Sequence, residues 1–244
     1  MQKGGNVILT LMTYNVFSGR TLDRGYDLSG KIKTISEVSP DILGLNEVHL
    51  NTKHSGYQSQ TGIYADALGY KYRYFARAIN HDGGEYGIAL LSRLPWVSCR
   101  TVPVPDILPE DRTSLFEPRV HIDAVLDLDG KRIRVLTSHF GLSRSEQVLA
   151  VSETMRLSEE QIPTIFMGDL NAEPDDSVLA PLYTRFCDTA EGYGQSETLT
   201  FRSDTPTRRI DYIFTTNDFE VIDMCVPASV QSDHRPVSSR VTLR

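Results

Sequence analysis

The polar residues best suited to chemistry in this 244-residue chain stand where apolar runs stop. Asn15 follows Leu9-Thr10-Leu11-Met12-Thr13-Tyr14, and Glu47 follows the nearly continuous run Ile42-Leu43-Gly44-Leu45. His139 closes Ile133-Arg134-Val135-Leu136-Thr137-Ser138, while Asp169 and Asn171 follow Ile165-Phe166-Met167-Gly168. Asp211 lies between Ile210 and Tyr212 at the start of an apolar strand, where burying a carboxylate is costly without a partner. Asp233 and His234 are adjacent in Ser232-Asp233-His234-Arg235-Pro236, so they cannot share one face of a strand. One is then free to bind a cation while the other handles protons, and His234 is placed to pair with Asp211. A carboxylate on one imidazole nitrogen fixes the tautomer and leaves the other nitrogen to take a proton from water. Asn15, Glu47 and Asp233 offer only oxygen donors, which suit magnesium or manganese and not zinc. Oxygen donors for a hard cation, two histidines and an Asp169/Asn171 pair delivered to one side of a strand together suit phosphoryl chemistry.

Singly, each residue has a plainer reading. An isolated Asn15 before Ser-Gly is a turn residue, a lone Glu47 is a solvated strand end, and His139 is a core histidine satisfied by a carbonyl. Gly168-Asp169-Leu170-Asn171-Ala172-Glu173-Pro174 is also a turn composition.

The elements that would hold these residues are mostly strands. Strand patterns run over Val7–Val16, Asp41–Val48, Lys71–Ala76, Gly87–Ser92, Val120–Leu128, Arg132–His139, Thr164–Gly168, Ile210–Phe214 and Pro236–Leu243. Helical patterns are fewer: Ser143–Met155, with a Ser143/Glu146 capping box and a Val148, Val151, Met155 stripe, then Leu28–Val38 and Gln58–Leu68. Pro103–Pro118 and Asp188–Thr207 read as long loops of the kind that shape binding sites. Many strands with helices between only some of them favour two packed sheets with helices outside, in one domain over 1–244.

Composition narrows the classes further. The chain is 40% hydrophobic, enough for a substantial core, and no apolar run reaches the roughly 18 residues of a membrane helix. Met1-Gln2-Lys3-Gly4-Gly5 lacks the apolar stretch of a signal peptide, so a soluble, cytoplasmic protein is expected. With 25 lysines and arginines against 32 acidic residues, the net charge of −7 disfavours a surface that grips nucleic acid throughout. Cys99, Cys187 and Cys225 are isolated and form no zinc or disulfide pattern.

Tyr14-Asn15, Asn46-Glu47-Val48, Tyr86-Gly87-Ile88-Ala89-Leu90-Leu91-Ser92, Ser138-His139, Gly168-Asp169-Leu170-Asn171, Ile210-Asp211-Tyr212-Ile213 and Ser232-Asp233-His234-Arg235-Pro236-Val237 resemble, in order, the signature blocks of the endonuclease/exonuclease/phosphatase superfamily. The resemblance spans nearly the whole chain. It implies an α/β fold of the deoxyribonuclease I type, a four-layer α/β/β/α sandwich of two mixed sheets flanked by helices. It further implies that Asn15 and Glu47 hold Mg2+ or Mn2+ with Asp233 near it, that Asp169 orients the attacking water, and that Asn171 binds the scissile phosphate. Asp211 would orient His234 for proton transfer, and His139 would hydrogen-bond the phosphoryl oxygens. A histidine at the His139 block resembles the deoxyribonuclease, sphingomyelinase, inositol-phosphatase and deadenylase branches more than the abasic-site repair enzymes.

Arg119 has two readings. The Val120, Ile122, Ala124, Leu126, Leu128 face of its strand puts Arg119 on the other side, either facing phosphate as in several relatives or solvated beside His121 and Asp123. Tyr86 lines the pocket or simply packs. Arg112, Arg208 and Arg209 contact a second phosphate or are solvated. The function expected is that of a metal-dependent phosphoric ester hydrolase, a diesterase before a monoesterase, acting as a monomer. Its partner would be a phosphate-ester substrate: a small molecule, a lipid headgroup or a short nucleic acid. A nuclease is the alternative within enzymes. A non-catalytic binding module is the alternative outside them, but it predicts loss of a core residue, and every expected position is filled.

Overall fold

Period-two alternation decides which residues of each strand face which layer. A computed structural model describes residues 7–112, 114 and 116–244 of the chain, so the Met1–Gly5 reading and Thr113 and Leu115 of the proline-rich stretch lie outside the described residues. The elements are β1 (Ile8–Asn15), α1 (Ser29–Val38), β2 (Ile42–Leu50), α2 (Gln60–Leu68), β3 (Tyr72–His81), β4 (Gly84–Ser92), β5 (Trp96–Pro103), β6 (Val120–Leu128), β7 (Lys131–His139), α3 (Arg144–Leu157), β8 (Thr164–Asp169), α4 (Ala180–Tyr183), β9 (Cys187–Asp188), α5 (Gln195–Thr198), β10 (Asp211–Thr215), β11 (Phe219–Cys225) and β12 (Val237–Leu243).

They form two six-stranded sheets, ordered β11-β12-β1-β2-β4-β3 and β5-β6-β7-β8-β10-β9. Each is mixed: β1 runs parallel to β2 and β7 parallel to β8, and the other pairs are antiparallel. Leu9, Leu11, Ile42 and Leu90 of one sheet meet Ile122, Val135, Met167 and Ile213 of the other in the central core. Met12, Tyr14 and Leu45 face outward onto Ile35 and Tyr64 of α1 and α2. Leu136, Phe166 and Phe214 face Ala150, Val151 and Leu182 of α3 and α4. Three apolar seams between four layers give the sandwich expected from the resemblance.

Gly168 shows why the strands can approach so closely at the site. Its φ is 152°, and a Cβ there would stand 1.9 Å from the Ser138 carbonyl of the parallel neighbour β7.

Some expected boundaries differ. β5 and β11 are not visible as strands in the sequence: β5, at a sheet edge and ending in Pro103, has only half-buried and exposed residues, and β11 carries Glu220 and Asp223 and a bulge between Val221 and Asp223 that breaks the period of its buried Phe219 and Met224. α3 keeps the Ser143/Glu146 capping box and buries Val151 of the expected stripe, with Met155 half-buried, but Val148 is 51% exposed; the helix also buries Gln147, Ala150 and Thr154. Among the described residues, no helix is long and apolar enough to cross a membrane, and all three cysteines are free.

The rotation of α3 puts Thr154 over His121, whose Nε2 lies 2.8 Å from the Thr154 hydroxyl. His121 is fully buried, and burial pulls its imidazole down to about 4. The folded protein therefore holds it neutral, while the unfolded chain protonates it near its ordinary 6.5. Its contribution is present above pH 6.5 and lost as pH falls toward 4. The stability lost between pH 7 and pH 4.5, measured by urea unfolding, is expected to be about 2 kcal/mol smaller in His121→Phe than in the parent.

Candidate active site

Inward alternation carries each central strand to a polar residue at the same end of the central core. Positions 9, 11, 13 and 15 of β1 lead to Asn15, 135, 137 and 139 of β7 to His139, 165, 167 and 169 of β8 to Asp169, and 213 and 211 of β10 back to Asp211. Register then makes them neighbours: Asn15 pairs with Asn46, His139 with Asp169, and Asp169 with Asp211.

Glu47 arrives by another route. β2 does not stop there but runs on to Leu50, and its pairing with β4 slips between Leu45 and Val48. Glu47 occupies this bulge with φ of 58°, a conformation a non-glycine residue holds only when its surroundings impose it. The bulge lets Asn46 and Glu47 both serve the site. Asn46 bridges the sheets, donating to the Ser138 carbonyl at 2.8 Å and accepting from the Asp169 N–H at 3.1 Å.

Asn15 is the hub. Its Nδ2 donates to Glu47 Oε1 at 3.1 Å and to Asp169 Oδ2 at 3.0 Å, and lies 3.5 Å from His234 Nε2. Its Oδ1 accepts from the Phe17 N–H at 3.0 Å. The amide thus turns nitrogen, not oxygen, toward the carboxylates, an orientation different from the one an oxygen ligand requires. It tethers Glu47 and Asp169 from the two sheets to a single donor group.

His234 Nδ1 stands 2.8 Å from Asp211 Oδ2, and its Nε2 lies 3.6 Å from Asp169 Oδ2. Burial by itself would strip the ring of its proton, but the charges of Asp211 and Asp169 outweigh that and lift it to about 10. The surrounding carboxylates thus favour the imidazolium form. Asp169, Asp211 and His234 bring ligand atoms within 4.8 Å of one another, yet the Asp211–His234 bond already consumes one side of that trio.

His139 is the opposite case. Arg119 Nη1, which can only donate, lies 3.0 Å from His139 Nδ1, so the ring proton sits on Nε2, 3.5 Å from Asp169 Oδ2. Burial first, then the charges of Arg119 and His234, hold its pKa well below 6.5. Both effects favour the neutral ring, with its N–H donor at Nε2. Arg119 is itself anchored by Glu117 at 2.7 Å, with its side chain 9% exposed. The solvated reading of Arg119 is therefore corrected, and the strand parity used to place it does not apply, because Arg119 precedes β6 and is free of its alternation. His121 and Asp123, thought to be its surface neighbours, are buried beside α3 and under Arg100 and Arg134.

The other predicted residues are arranged around this centre. Asn171, with φ of 49°, donates from its backbone N–H to Asp169 Oδ1 at 3.0 Å and through Nδ2 to the Phe140 carbonyl at 3.0 Å. Asp233 is half-buried beside Ser232, whose hydroxyl donates to the Asn15 carbonyl at 2.7 Å. Burial raises Asp233, against the pull of His234. Burial raises Glu47 to about 7 against its bond from Asn15, and raises Asp169 against the charge of His234. Tyr86 stands near Glu47 and Glu117 and stays protonated, chiefly through burial. Arg112, Arg208 and Arg209 are instead paired with Asp106, Glu173 and Asp188.

Asn46, Glu117 and Ser232 were missed as working parts. Asn46 and Ser232 lay inside quoted motifs, but their bonds reach across sheets and loops, which spacing along the chain does not reveal.

The profile of the Endonuclease/Exonuclease/phosphatase family matches residues 12–234. Among solved structures, an endonuclease/exonuclease/phosphatase from Beutenbergia cavernae DSM 12333 is 21% identical with a TM-score of 0.79, covering 97% of this chain and 72% of that one. A mannosyl-6-phosphatase from Bacteroides thetaiotaomicron VPI-5482 is 19% identical at a TM-score of 0.73, covering 96% and 99%. ANGEL2, a 2′,3′-cyclic phosphatase solved with adenosine-2′,3′-vanadate, is 14% identical at 0.76, covering 98% and 96%. At these identities the likeness speaks for the fold. A search of curated proteins found no match.

Proposed function

Since this chain belongs to the endonuclease/exonuclease/phosphatase family, we propose that it is a phosphoesterase dependent on magnesium or manganese that hydrolyses its substrate by in-line attack of water. The observation that carries this reading is the convergence of Glu47 and Asp169, from opposite sheets, on the single amide of Asn15, beside an Asp211–His234 pair.

The donor set fits a hard dication. Glu47, Asp169, Asp211 and Asp233 gather four carboxylates around one imidazolium, and among the described residues Asp211 Oδ1 is buried without a partner. Glu47 pushed to about 7 reports the same surplus of desolvated negative charge. Glu47 and Asp233 would hold the ion, with Asn15 at its edge, through oxygens and not nitrogen or sulfur. When bound, the ion neutralises charge on the phosphoryl oxygens and supports the leaving oxygen.

The chain's own groups supply the rest. The neutral Nε2–H of His139 and the Asn171 amide would bind the phosphoryl oxygens, where negative charge grows in the transition state. Asp169 would orient water for attack at phosphorus and accept its proton as the P–O bond to the leaving group breaks. His234, charged at neutral pH, takes part in proton transfer as the acid, with Asp211 holding its ring. Diesters are preferred because a single negative charge on the scissile phosphate repels these carboxylates less than two.

Purified protein with Mg2+ or Mn2+ is expected to hydrolyse bis-p-nitrophenyl phosphate, and EDTA to stop it until metal is restored. Hydrolysis indifferent to chelation would overturn the mechanism. The charge of −7 weighs against long duplex DNA. Plasmid, single-stranded DNA and RNA in the same assay test the nuclease alternative.

A further inference from the structure

A cavity of about 610 Å3 adjoins the centre, and its wall carries Arg20, Arg24, Arg202 and His54. Asp233 lines it on the catalytic side, next to His234, and so does Phe17, whose N–H holds Asn15 Oδ1. None of these cationic residues belongs to the signature motifs, although Arg202 lies in the Asp188–Thr207 loop.

The wall is built and not incidental. The buried ammonium of Lys31 donates to the carbonyls of Arg20 at 2.7 Å, Asp27 at 3.1 Å and Gln231 at 2.5 Å, tying the arginine turn to the segment that leads into Asp233. On the other side, Ser203 beside Arg202 donates from its N–H to the Asp233 carbonyl at 2.8 Å and from its hydroxyl to the Ser232 carbonyl at 2.5 Å. Both supports fix the backbone at Arg20 and beside Arg202 relative to the reaction centre.

Their charge is also unspent. Arg73, Arg100, Arg134, Arg209 and Arg240 all face carboxylates. Among the described residues neither Arg20 nor Arg24 has a carboxylate within 4.0 Å, and Arg202 has Asp204 at 3.5 Å in an exposed pair of little strength. Three guanidiniums on one cavity wall, against the single carboxylate of Asp233, give that wall a positive potential that attracts an anion. The guanidinium fork matches phosphate, and the volume suits a phosphate with the scaffold that carries it.

We propose that the substrate bears a second phosphate, seated against Arg20, Arg24 and Arg202 while the scissile phosphate lies at the Asn15–His234 centre: the substrate class is a small ester with two phosphates. This rests on the phosphoesterase reading above and adds the group that selects among esters.

The probes are the p-nitrophenyl ester of thymidine 5′-phosphate with and without a 3′-phosphate, which differ only in the second anion. The readout is the ratio of their kcat/KM values. The parent is expected to prefer the 3′-phosphorylated ester by about 100-fold, chiefly through KM. Arg20→Ala/Arg24→Ala should bring the ratio to near unity, and Arg24→Lys should retain part of it; all three arginine side chains are exposed, so the fold tolerates the changes. A parent ratio near unity, or a preference that survives the double substitution, overturns the inference while leaving bis-p-nitrophenyl phosphate hydrolysis to stand for the phosphoesterase reading. Failure to cleave any of the three esters with Mg2+ or Mn2+ overturns both.

Discussion

His234→Ala is expected to slow metal-supported hydrolysis of bis-p-nitrophenyl phosphate by about a thousandfold, with the fold retained by circular dichroism. Asp211→Asn should cost about a hundredfold, and its pH profile says why. The Asp211 charge helps lift His234 to about 10, so with His234 as the acid, activity is expected to fall as pH rises through its pKa. Burial raises Asp169 to about 6, so with Asp169 as the group that orients water, activity is expected to fall below that range. The kcat/KM profile is therefore a bell, with both limbs displaced to lower pH in the metal-loaded enzyme because a nearby cation disfavours protonation. Removing the Asp211 charge lowers the His234 pKa, so the alkaline limb moves down in Asp211→Asn. Were His234 a neutral base, the substitution would instead move the acid limb, and that result would reverse the assignments.

Glu47→Gln should abolish turnover by a similar factor while making the metal-free protein more stable at pH 8. The folded carboxyl titrates near 7, above its ordinary 4.5, so the native state carries a penalty that appears as pH rises from 4.5 through 7. Glutamine keeps the shape and the bond from Asn15 without the charge. After discounting for the partial exposure of Glu47, the gain is about 2 kcal/mol. Saturating Mn2+ should reverse the order: an ion at a hundred times its Kd stabilises the parent by about 2.7 kcal/mol, and the variant by far less. Thermal unfolding with EDTA and with Mn2+, at pH 5 and pH 8, reads all four states. A parent whose melting temperature ignores both pH and Mn2+ would remove Glu47 from the ion site. The site is thus a place where stability is given up for chemistry, which is common where like charges are held together.

How much of this was legible depended on the kind of interaction. The central strands could be read because burial between two sheets demands continuous or alternating apolar residues, and the last inward position of each marks the site. β5 could not be read so because it fully buries no residue, and β11 because the bulge between Val221 and Asp223 puts its buried Phe219 and Met224 out of step with a period of two. The helix α3 was found from its cap, yet its buried face was misjudged at Val148, because the cap sets where a helix starts and not how it rolls on the sheet.

The chain by itself determined which residues reach the open end of the central core, because alternation along a strand is a local property that survives any arrangement of the strands: Asn15, His139, Asp169 and Asp211 follow from it. Tertiary structure alone decided the rest. It placed Glu47 in a bulge, turned the Asn15 amide nitrogen inward, set Arg119 against His139 and left Arg20, Arg24 and Arg202 without sufficient counter-charge. These depend on electrostatic and hydrogen-bonding partners brought from distant segments, and the energy of a charge is set by what surrounds it in space, not by its neighbours in the chain.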